Sequence, residues 1–339
     1  MKKLFAVLLA LTMLLGLMSF SVAEDAIDPD LIAAAKEEGE LVVYGSCEEE
    51  YLQAACDKFE QLYGIKVTHQ RLSTGEVQAK IEEENGNPSA DVWFGGTTDP
   101  YNVCAKEGLL ETYEAKNASH LLGPAYRDKD GAWYGIYKGI LGFMVNTEEL
   151  QRLGLEVPAD WQDLLKPEYK NLISMPGPKS SGTGYMFVKS LVNAWGEEKA
   201  FEYFDGLAEN ILQFTESGSG PVNALVQGEV AVGLGMTAQA VTAINNGANL
   251  KILFFEEGSP YSLYGYAIPE GKQTRKAVVD VFDFFYNTLV KEDKELYYPE
   301  QVFVDQVNNI ENYPTDIKYA DMHDNTTEEK ARLLDMWEY

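Results

Sequence analysis

The stretch Leu172-Ile173-Ser174-Met175-Pro176-Gly177-Pro178-Lys179-Ser180-Ser181-Gly182-Thr183-Gly184-Tyr185 leaves a short apolar run, breaks at proline and glycine, and enters an amphipathic segment from Met186 to Trp195. The first part predicts a strand and the last a helix. Small hydroxyl residues and glycines at a helix start leave backbone N–H groups without intrahelical partners, aimed at whatever lies in front of them. An anion suits that position. Strand, glycine-rich turn and helix in succession are the repeating unit of an α/β fold.

The same unit recurs on both sides. Leu41 to Tyr44 predicts a strand, followed by Gly45-Ser46-Cys47 and a helix that runs to Tyr63 and stops at Gly64. Ile65 to Gln70 alternates as a second strand. Ser73-Thr74-Gly75-Glu76 is a capping box opening a helix over 77–84. Ala90 to Phe94 predicts a third strand that ends in Gly95-Gly96-Thr97-Thr98, with Asp99-Pro100 as a helix start. Further on come a helix from Glu197 to Ala208, the junction Thr215 to Pro221, and a strand from Val230 to Leu234. Two glycine-bearing extended stretches, Gly135 to Asn146 and Tyr264 to Pro269, have the form of crossings between two lobes; a helix is expected over 276–290 and a polar helical tail ends near Trp337.

Ligands of doubly wound sheets sit outside the carboxyl ends of the strands, where these junctions fall. The candidate contacts are therefore Ser46 and Cys47, Ser73 and Thr74, Gly96, Thr97 and Thr98, Ser180, Ser181, Gly182 and Thr183, and Ser217, Gly218 and Ser219. Arg71, Lys138 or Lys179 could add positive charge, and Tyr137 and Tyr261, near the crossings, could stack on a ligand. Each hydroxyl taken singly also fits an ordinary N-cap. Trp93 and Phe94 continue a buried strand and are assigned to the core, and Glu48-Glu49-Glu50 reads as first-turn acids favoured by the helix dipole.

Composition narrows the partners. Lys2 and Lys3, the apolar run from Leu4 to Met18 and Ser21-Val22-Ala23 form a cleavable export signal over residues 1–23, with no cysteine after it for lipid attachment. The net charge of the 339-residue chain is −27, and −29 without the two signal lysines. Such a surface repels nucleic acid and anionic membranes, so an anion site has to be assembled locally from backbone dipoles and a few bases. Cys47, Cys56 and Cys104 cannot all pair within one chain and lack metal-site spacing; one disulfide among them stays open.

Catalytic patterns are missing. His69, His120 and His323 are far apart, no G-x-S-x-G or G-x-x-x-x-G-K-[ST] occurs, Ser180 and Ser181 have no S-x-x-K lysine, and Phe187 stands where a dinucleotide fingerprint after Gly182-Thr183-Gly184 needs glycine. The carboxylates are too numerous for counting to isolate an acid/base pair of a hydrolase.

Ala90-Asp91-Val92-Trp93-Phe94-Gly95-Gly96, Ser73-Thr74-Gly75-Glu76, Ser180-Ser181-Gly182-Thr183-Gly184, Gly228-Glu229-Val230-Ala231-Val232-Gly233-Leu234 and Tyr313-Pro314-Thr315-Asp316-Ile317 together resemble the extracellular solute-binding proteins of bacterial ABC importers. The branch is the one that holds ferric-ion, phosphonate and sugar-phosphate binders. The resemblance implies a type 2 periplasmic binding protein fold: two α/β lobes, each a mixed sheet flanked by helices, with one ligand clamped between them by hinge closure. It places lobe 1 at 24–138 plus 256–292 and lobe 2 at 139–255 plus 293–339. It also implies a periplasmic or extracellular monomer that needs no cofactor, carries a small-molecule solute and delivers it to a membrane permease.

Ferric members of that branch ligate iron through neighbouring tyrosines just after the motif that ends at Leu234. Here Gly235-Met236-Thr237-Ala238 stands there, and Tyr297-Tyr298 lies elsewhere. A hard ferric ion favours phenolate and carboxylate oxygens, so an organic phosphate or phosphonate is the expected occupant, with Met236 and Thr237 among its contacts. A ferric ion is one alternative. A polyamine held by Asp99, Glu216, Glu257 and the rings of Trp93, Tyr101, Tyr137 and Tyr261 is another, and a secreted hydrolase is the enzyme alternative.

Overall fold

The computed structural model describes residues 28–115, 118–272, 300–304, 306 and 310–339. The export signal, the helix expected over 276–290 and Tyr297-Tyr298 lie outside the described residues. The first α/β units give α1 (Pro29–Glu38), β1 (Leu41–Gly45), α2 (Glu49–Tyr63), β2 (Val67–Arg71), α3 (Thr74–Glu84), β3 (Val92–Thr97) and α4 (Thr98–Lys106). In α2 the buried Tyr51, Leu52, Ala55, Cys56, Phe59 and Tyr63 recur at helical spacing and form the face laid on the sheet. Gly64 ends that helix in the left-handed conformation, returning its N–H to the Glu60 carbonyl.

The next elements are β4 (Tyr134–Asn146), α5 (Thr147–Leu153), β5 (Ile173–Pro176), α6 (Gly182–Trp195), α7 (Glu197–Ala208), β6 (Ile211–Thr215), α8 (Gly220–Val226), β7 (Val232–Met236), α9 (Thr237–Asn245), β8 (Leu250–Leu253), β9 (Tyr261–Ala267) and α10 (Thr327–Asp335). The strand order is β2-β1-β3-β9-β4-β7-β5-β6, with β8 also on β4. β1 runs parallel to β2 and β3, and β5 parallel to β6 and β7.

The 13-residue β4 belongs to both halves. Its first part, Tyr134 to Ile140, pairs antiparallel with β9; from Leu141 onward its partners are β7 and β8. The changeover lies between Ile140 and Leu141, beside Gly139 and Gly142. After β8 the chain returns along β4 to β9, which is the second crossing expected from the sequence.

In the second half Phe143 stacks on Phe255 at 4.1 Å and meets Trp161 edge-on at 4.4 Å, with Phe187 beside them. Each such buried ring contributes about 2–3 kcal/mol of apolar burial. Trp93 stacks on Tyr101 at 3.7 Å in the core of the first half. All three cysteines are buried free thiols, so the disulfide left open by the sequence does not form.

The last helix lies across both halves. On the first, Lys330 pairs with Asp99 and Glu328 with Lys106 of α4; on the second, Glu329 meets Lys189 of α6 at 3.5 Å and Arg332 meets Glu197 of α7 at 2.6 Å. Among the described residues no helix is long and apolar enough to cross a membrane.

Candidate functional site

Between the halves, at the strand ends, lies a small cavity of about 20 Å³. Ser46, Glu48, Arg71, Ser73 and Thr74 line it from the first half; Ser181, Thr183, Ser217, Gly218, Ser219 and Met236 line it from the second, and Tyr264 of β9 lies at its floor. Helices α2, α3, α6 and α9 all begin here, at Glu48, Ser73, Ser181 and Met236. Four helix starts bring partial positive charge and free backbone N–H groups to one volume.

The caps that fix these starts are visible. Ser73 Oγ accepts from the Glu76 amide at 3.3 Å while Glu76 Oε2 accepts from the Ser73 amide at 2.7 Å, the reciprocal box expected from the sequence. Ser181 Oγ accepts from the Gly184 amide at 3.4 Å. Both hydroxyls accept these bonds through oxygen, so each keeps its own O–H to donate to a ligand, beside the backbone amides of the first turn.

Arg71, the last residue of β2, supplies the guanidinium. Its Nε donates to the Cys47 carbonyl at 3.0 Å and its Nη2 donates to Ser219 Oγ at 3.3 Å, which bridges the halves. Arg71 is the one of the three candidate bases that reaches the cavity: Lys179 is exposed, and Lys138 sits over the rings of Tyr261 and Tyr319 at 4.3 and 4.4 Å.

The floor is neutral. Tyr264 Oη lies 3.1 Å from Met236 Sδ and 3.3 Å from Thr183 Oγ1. Burial raises the Tyr264 phenol above its ordinary pKa, and the nearby Glu48 adds to the effect. Burial likewise raises the Glu48 carboxyl, opposed by its own backbone amide and by Arg71. Among the described residues Glu48 Oε2 is buried without a hydrogen-bond partner.

The remaining expected contacts surround the cavity. Gly96, at φ +87°, packs on Ser46 and Thr74, where a Cβ would stand 2.9 Å from each side chain. Thr97 is buried against Gly182, Thr98 is half-buried at the start of α4, the Ser180 carbonyl faces Gly75 of the opposite half, and Thr237 is buried at the start of α9. Cys47 faces the core, its thiol raised well above the ordinary range by burial; its carbonyl is the part that serves the site.

Tyr137 does not face the cavity. It is fully buried behind Tyr264, stacked on it at 4.6 Å. Tyr261 is half-buried against Tyr319 and Lys138, away from the cavity lining. The polyamine cage is not assembled: Asp99 is taken by Lys330, Glu257 accepts from Trp195, Glu216 is exposed, and Trp93 and Tyr101 are core.

Sequence reasoning missed Glu48 and Tyr264. Glu48 looked like one of three dipole-stabilising acids; the helix starts one residue later, at Glu49, which leaves Glu48 as an N-cap turned into the cavity. Tyr264 carried no local signal, since burial along β9 is continuous from Tyr264 to Ala267 and does not alternate.

Among the described residues no group of three or more His, Cys, Asp or Glu side chains is placed to hold a metal ion. A thioether and a hydroxyl, Met236 and Thr237, stand where the resemblance leads one to expect the phenols of a ferric binder.

A family model described as bacterial extracellular solute-binding protein matches residues 91–327. An uncharacterized protein of Haemophilus influenzae is 34% identical over 320 residues, 90% of this chain and 91% of that one. A putative 2-aminoethylphosphonate-binding periplasmic protein of Salmonella typhimurium is 29% identical over 208 residues, 60% of this chain and 58% of that protein. Among solved structures, the periplasmic binding protein AfuA of Actinobacillus pleuropneumoniae, with exogenous fructose-6-phosphate bound, is 34% identical, with a TM-score of 0.79 over 88% of this chain and 97% of that one. Iron-bound HitA from Pseudomonas aeruginosa shares the fold, with a TM-score of 0.70 over 88% of this chain and 98% of that one at 18% identity.

These neighbours are periplasmic binding proteins of the two-lobed type 2 fold, the architecture expected from the sequence. With a family match over most of its length and a relative 34% identical across nine tenths of it, the chain belongs to the bacterial extracellular solute-binding proteins.

Proposed function

We propose that the chain is the exported, monomeric binding component of an ABC importer, and that it captures an organic phosphate or phosphonate without transforming it. The observation that carries this reading is the convergence of Arg71 and four helix starts on one cavity between the halves. In a chain of net charge −27 that cavity concentrates donors suited to a tetrahedral oxyanion. The relatives named for 2-aminoethylphosphonate and for bound fructose-6-phosphate support the same ligand class.

The division into lobe 1 (24–138 plus 256–292) and lobe 2 (139–255 plus 293–339) is part of the proposal, with β4 as the hinge strand. Ligand binding favours the closed arrangement, and a membrane permease recognises that form. The signal at 1–23 places the mature chain in the periplasm or outside the cell.

Calorimetric titration with fructose 6-phosphate, 2-aminoethylphosphonate, inorganic phosphate, putrescine and ferric citrate tests the ligand class. Saturable binding of an organic phosphate or phosphonate, recovered unchanged, is expected. Product formation would mark an enzyme. A visible phenolate-to-iron band with ferric citrate would overturn the oxyanion reading.

A further inference from the structure

The C-terminal helix α10 and its flanks are fixed to the second half. Asn193 Nδ2 of α6 donates to the Asp321 and His323 carbonyls, both at 3.0 Å, and Arg332 pairs with Glu197 of α7 at 2.6 Å. Trp337 is buried against Phe204 and Phe214, with ring centroids 5.4 and 5.7 Å away. Toward the first half the helix presents two ion pairs, Lys330 to Asp99 and Glu328 to Lys106 of α4.

Two adjacent residues of α10 carry opposite charges to opposite halves. Glu329 meets Lys189 of α6, whose side chain is 2% exposed, at 3.5 Å, while Lys330 pairs with Asp99, whose side chain is 8% exposed. The Lys330 ammonium also lies 5.3 Å from the ring centroid of Tyr185 in α6, which places it in the seam between the halves. Among the described residues Asp99 Oδ1 is buried without a hydrogen-bond partner, so the Lys330 contact at Oδ2 offsets the burial of that carboxylate. Without α10 the second half would bury a cation, and the first half an anion, that had lost its counter-ion. That arrangement is strongly unfavourable on either side.

We propose that α10 is a third, non-covalent connection between the halves, a staple whose neighbouring charges Glu329 and Lys330 limit how far the halves open. This rests on the hinge reading above and adds a restraint to it. Asp99 follows Thr97 by two residues; Thr97 pairs with Tyr264 of β9, and Tyr264 packs over Gly139, near which β4 changes partners. The staple therefore joins the halves beside the two crossing strands. A pair of strands can bend and twist, and a tie outside their line restricts both motions. The Glu328 and Lys106 side chains are 71% and 76% exposed, so that pair is screened and adds little.

The test is small-angle scattering of the intact, ligand-free protein as wild type, Lys330→Glu, Lys330→Glu with Asp99→Lys, Glu328→Gln and Arg332→Gln. Lys330→Glu sets two carboxylates face to face and is expected to raise the radius of gyration. Adding Asp99→Lys restores an opposite-charge pair and is expected to return it to the wild-type value. Glu328→Gln, which removes the exposed pair, and Arg332→Gln, which loosens the helix on the second half alone, are expected to keep the wild-type profile. Fructose 6-phosphate affinity of Lys330→Glu is expected to fall about tenfold, because less restrained halves lose more freedom on closing. Melting temperatures serve as the folding control, and Lys330→Gln takes the place of Lys330→Glu should the reversal fail to fold.

A Lys330→Glu profile identical to that of wild type would overturn the staple, whatever the melting temperature. Contraction of wild type by fructose 6-phosphate in the same experiment would leave the hinge reading standing. Expansion shared by Arg332→Gln, or not reversed by Asp99→Lys, would place the effect in a loosened tail and overturn the staple equally. Failure of fructose 6-phosphate to bind would count against the ligand reading alone, since the ligand-free profiles decide the staple.

Discussion

A Cβ placed on Gly182, at the start of α6, would stand 2.2 Å from Thr97 Oγ1 at the end of β3, so the start of α6 seats against the Thr97 side chain across the cleft only because position 182 has no side chain. Gly75 makes a looser approach of the same kind, its added Cβ lying 3.2 Å from the Ser180 carbonyl oxygen. Gly182→Ala is expected to hold the halves apart and to weaken fructose 6-phosphate binding by about tenfold or more, the scale of an overpacked contact. Small-angle scattering checks the cause: the variant with ligand should keep the profile of the free protein. A ligand-induced contraction like that of wild type would refute the steric account.

Arg71 reaches both walls. Replacing it by methionine removes the one guanidinium of the cavity lining, and affinity for the phosphate-bearing ligand should fall about 10- to 100-fold, as for loss of a charge-assisted hydrogen bond. Arg71→Lys should recover only part of this, because an ammonium cannot hold the Cys47 carbonyl, Ser219 and an oxyanion at once with the same fork. Titration at two salt concentrations reads both effects. Unchanged affinity in the methionine variant would move the phosphate elsewhere.

The raised carboxyl of Glu48 makes stability depend on pH. Burial is the main cause, so the folded protein holds the proton more tightly than the unfolded chain. Below the ordinary carboxylate range both states are protonated and nothing is lost. As pH rises through that range and past the raised folded value, the unfolded state is favoured. Glu48→Gln should therefore melt close to wild type near pH 4 and above it at pH 7.5. A stability difference that does not change with pH would contradict the assignment.

Lys330 neutralises Asp99, whose side chain is 8% exposed. Lys330→Met should cost about 3 kcal/mol, because it strands a buried carboxylate. Adding Asp99→Asn should restore a large part of that loss, and a double-mutant cycle by urea denaturation measures the coupling. Strictly additive costs would mean that the pair contributes nothing beyond its separate side chains.

The three thiols should be slow to react in the native state. Burial raises all of them, with Cys56 and Cys104 pushed up to about 12. A colorimetric thiol reagent at pH 7.5 should find few accessible groups before unfolding and three afterwards. One thiol after unfolding would reveal a disulfide.

The fold was legible where local chemistry decides conformation. The capping box at Ser73 and Glu76, the left-handed stop at Gly64 and the helix from Glu197 to Ala208 all depend on residues close in sequence. The hydroxyl-rich turns come together as well: Ser46, Ser73, Thr74, Ser181, Thr183, Ser217 and Ser219 line one cavity, and their contact with a ligand is part of the proposal. Which of the stacked tyrosines faces that cavity was not legible. Tyr137 and Tyr264 stand opposite each other on paired strands, and only the register of β4 against β9 makes one the floor and the other its support.

A 13-residue strand is about 43 Å long, and β4 changes partners near its middle, where Gly139 passes beneath Tyr264 and Met236. With β4 as the proposed hinge strand, each half would work as a lever arm of roughly 20 Å with its fulcrum at the floor of the cavity. A twist of about 10° at Gly139 would carry the far end of an arm by roughly 3–4 Å, from the length of strand alone. On the proposed hinge closure, occupancy by a molecule a few ångströms across would be magnified into a displacement at the outer surface, where a docking protein could read it.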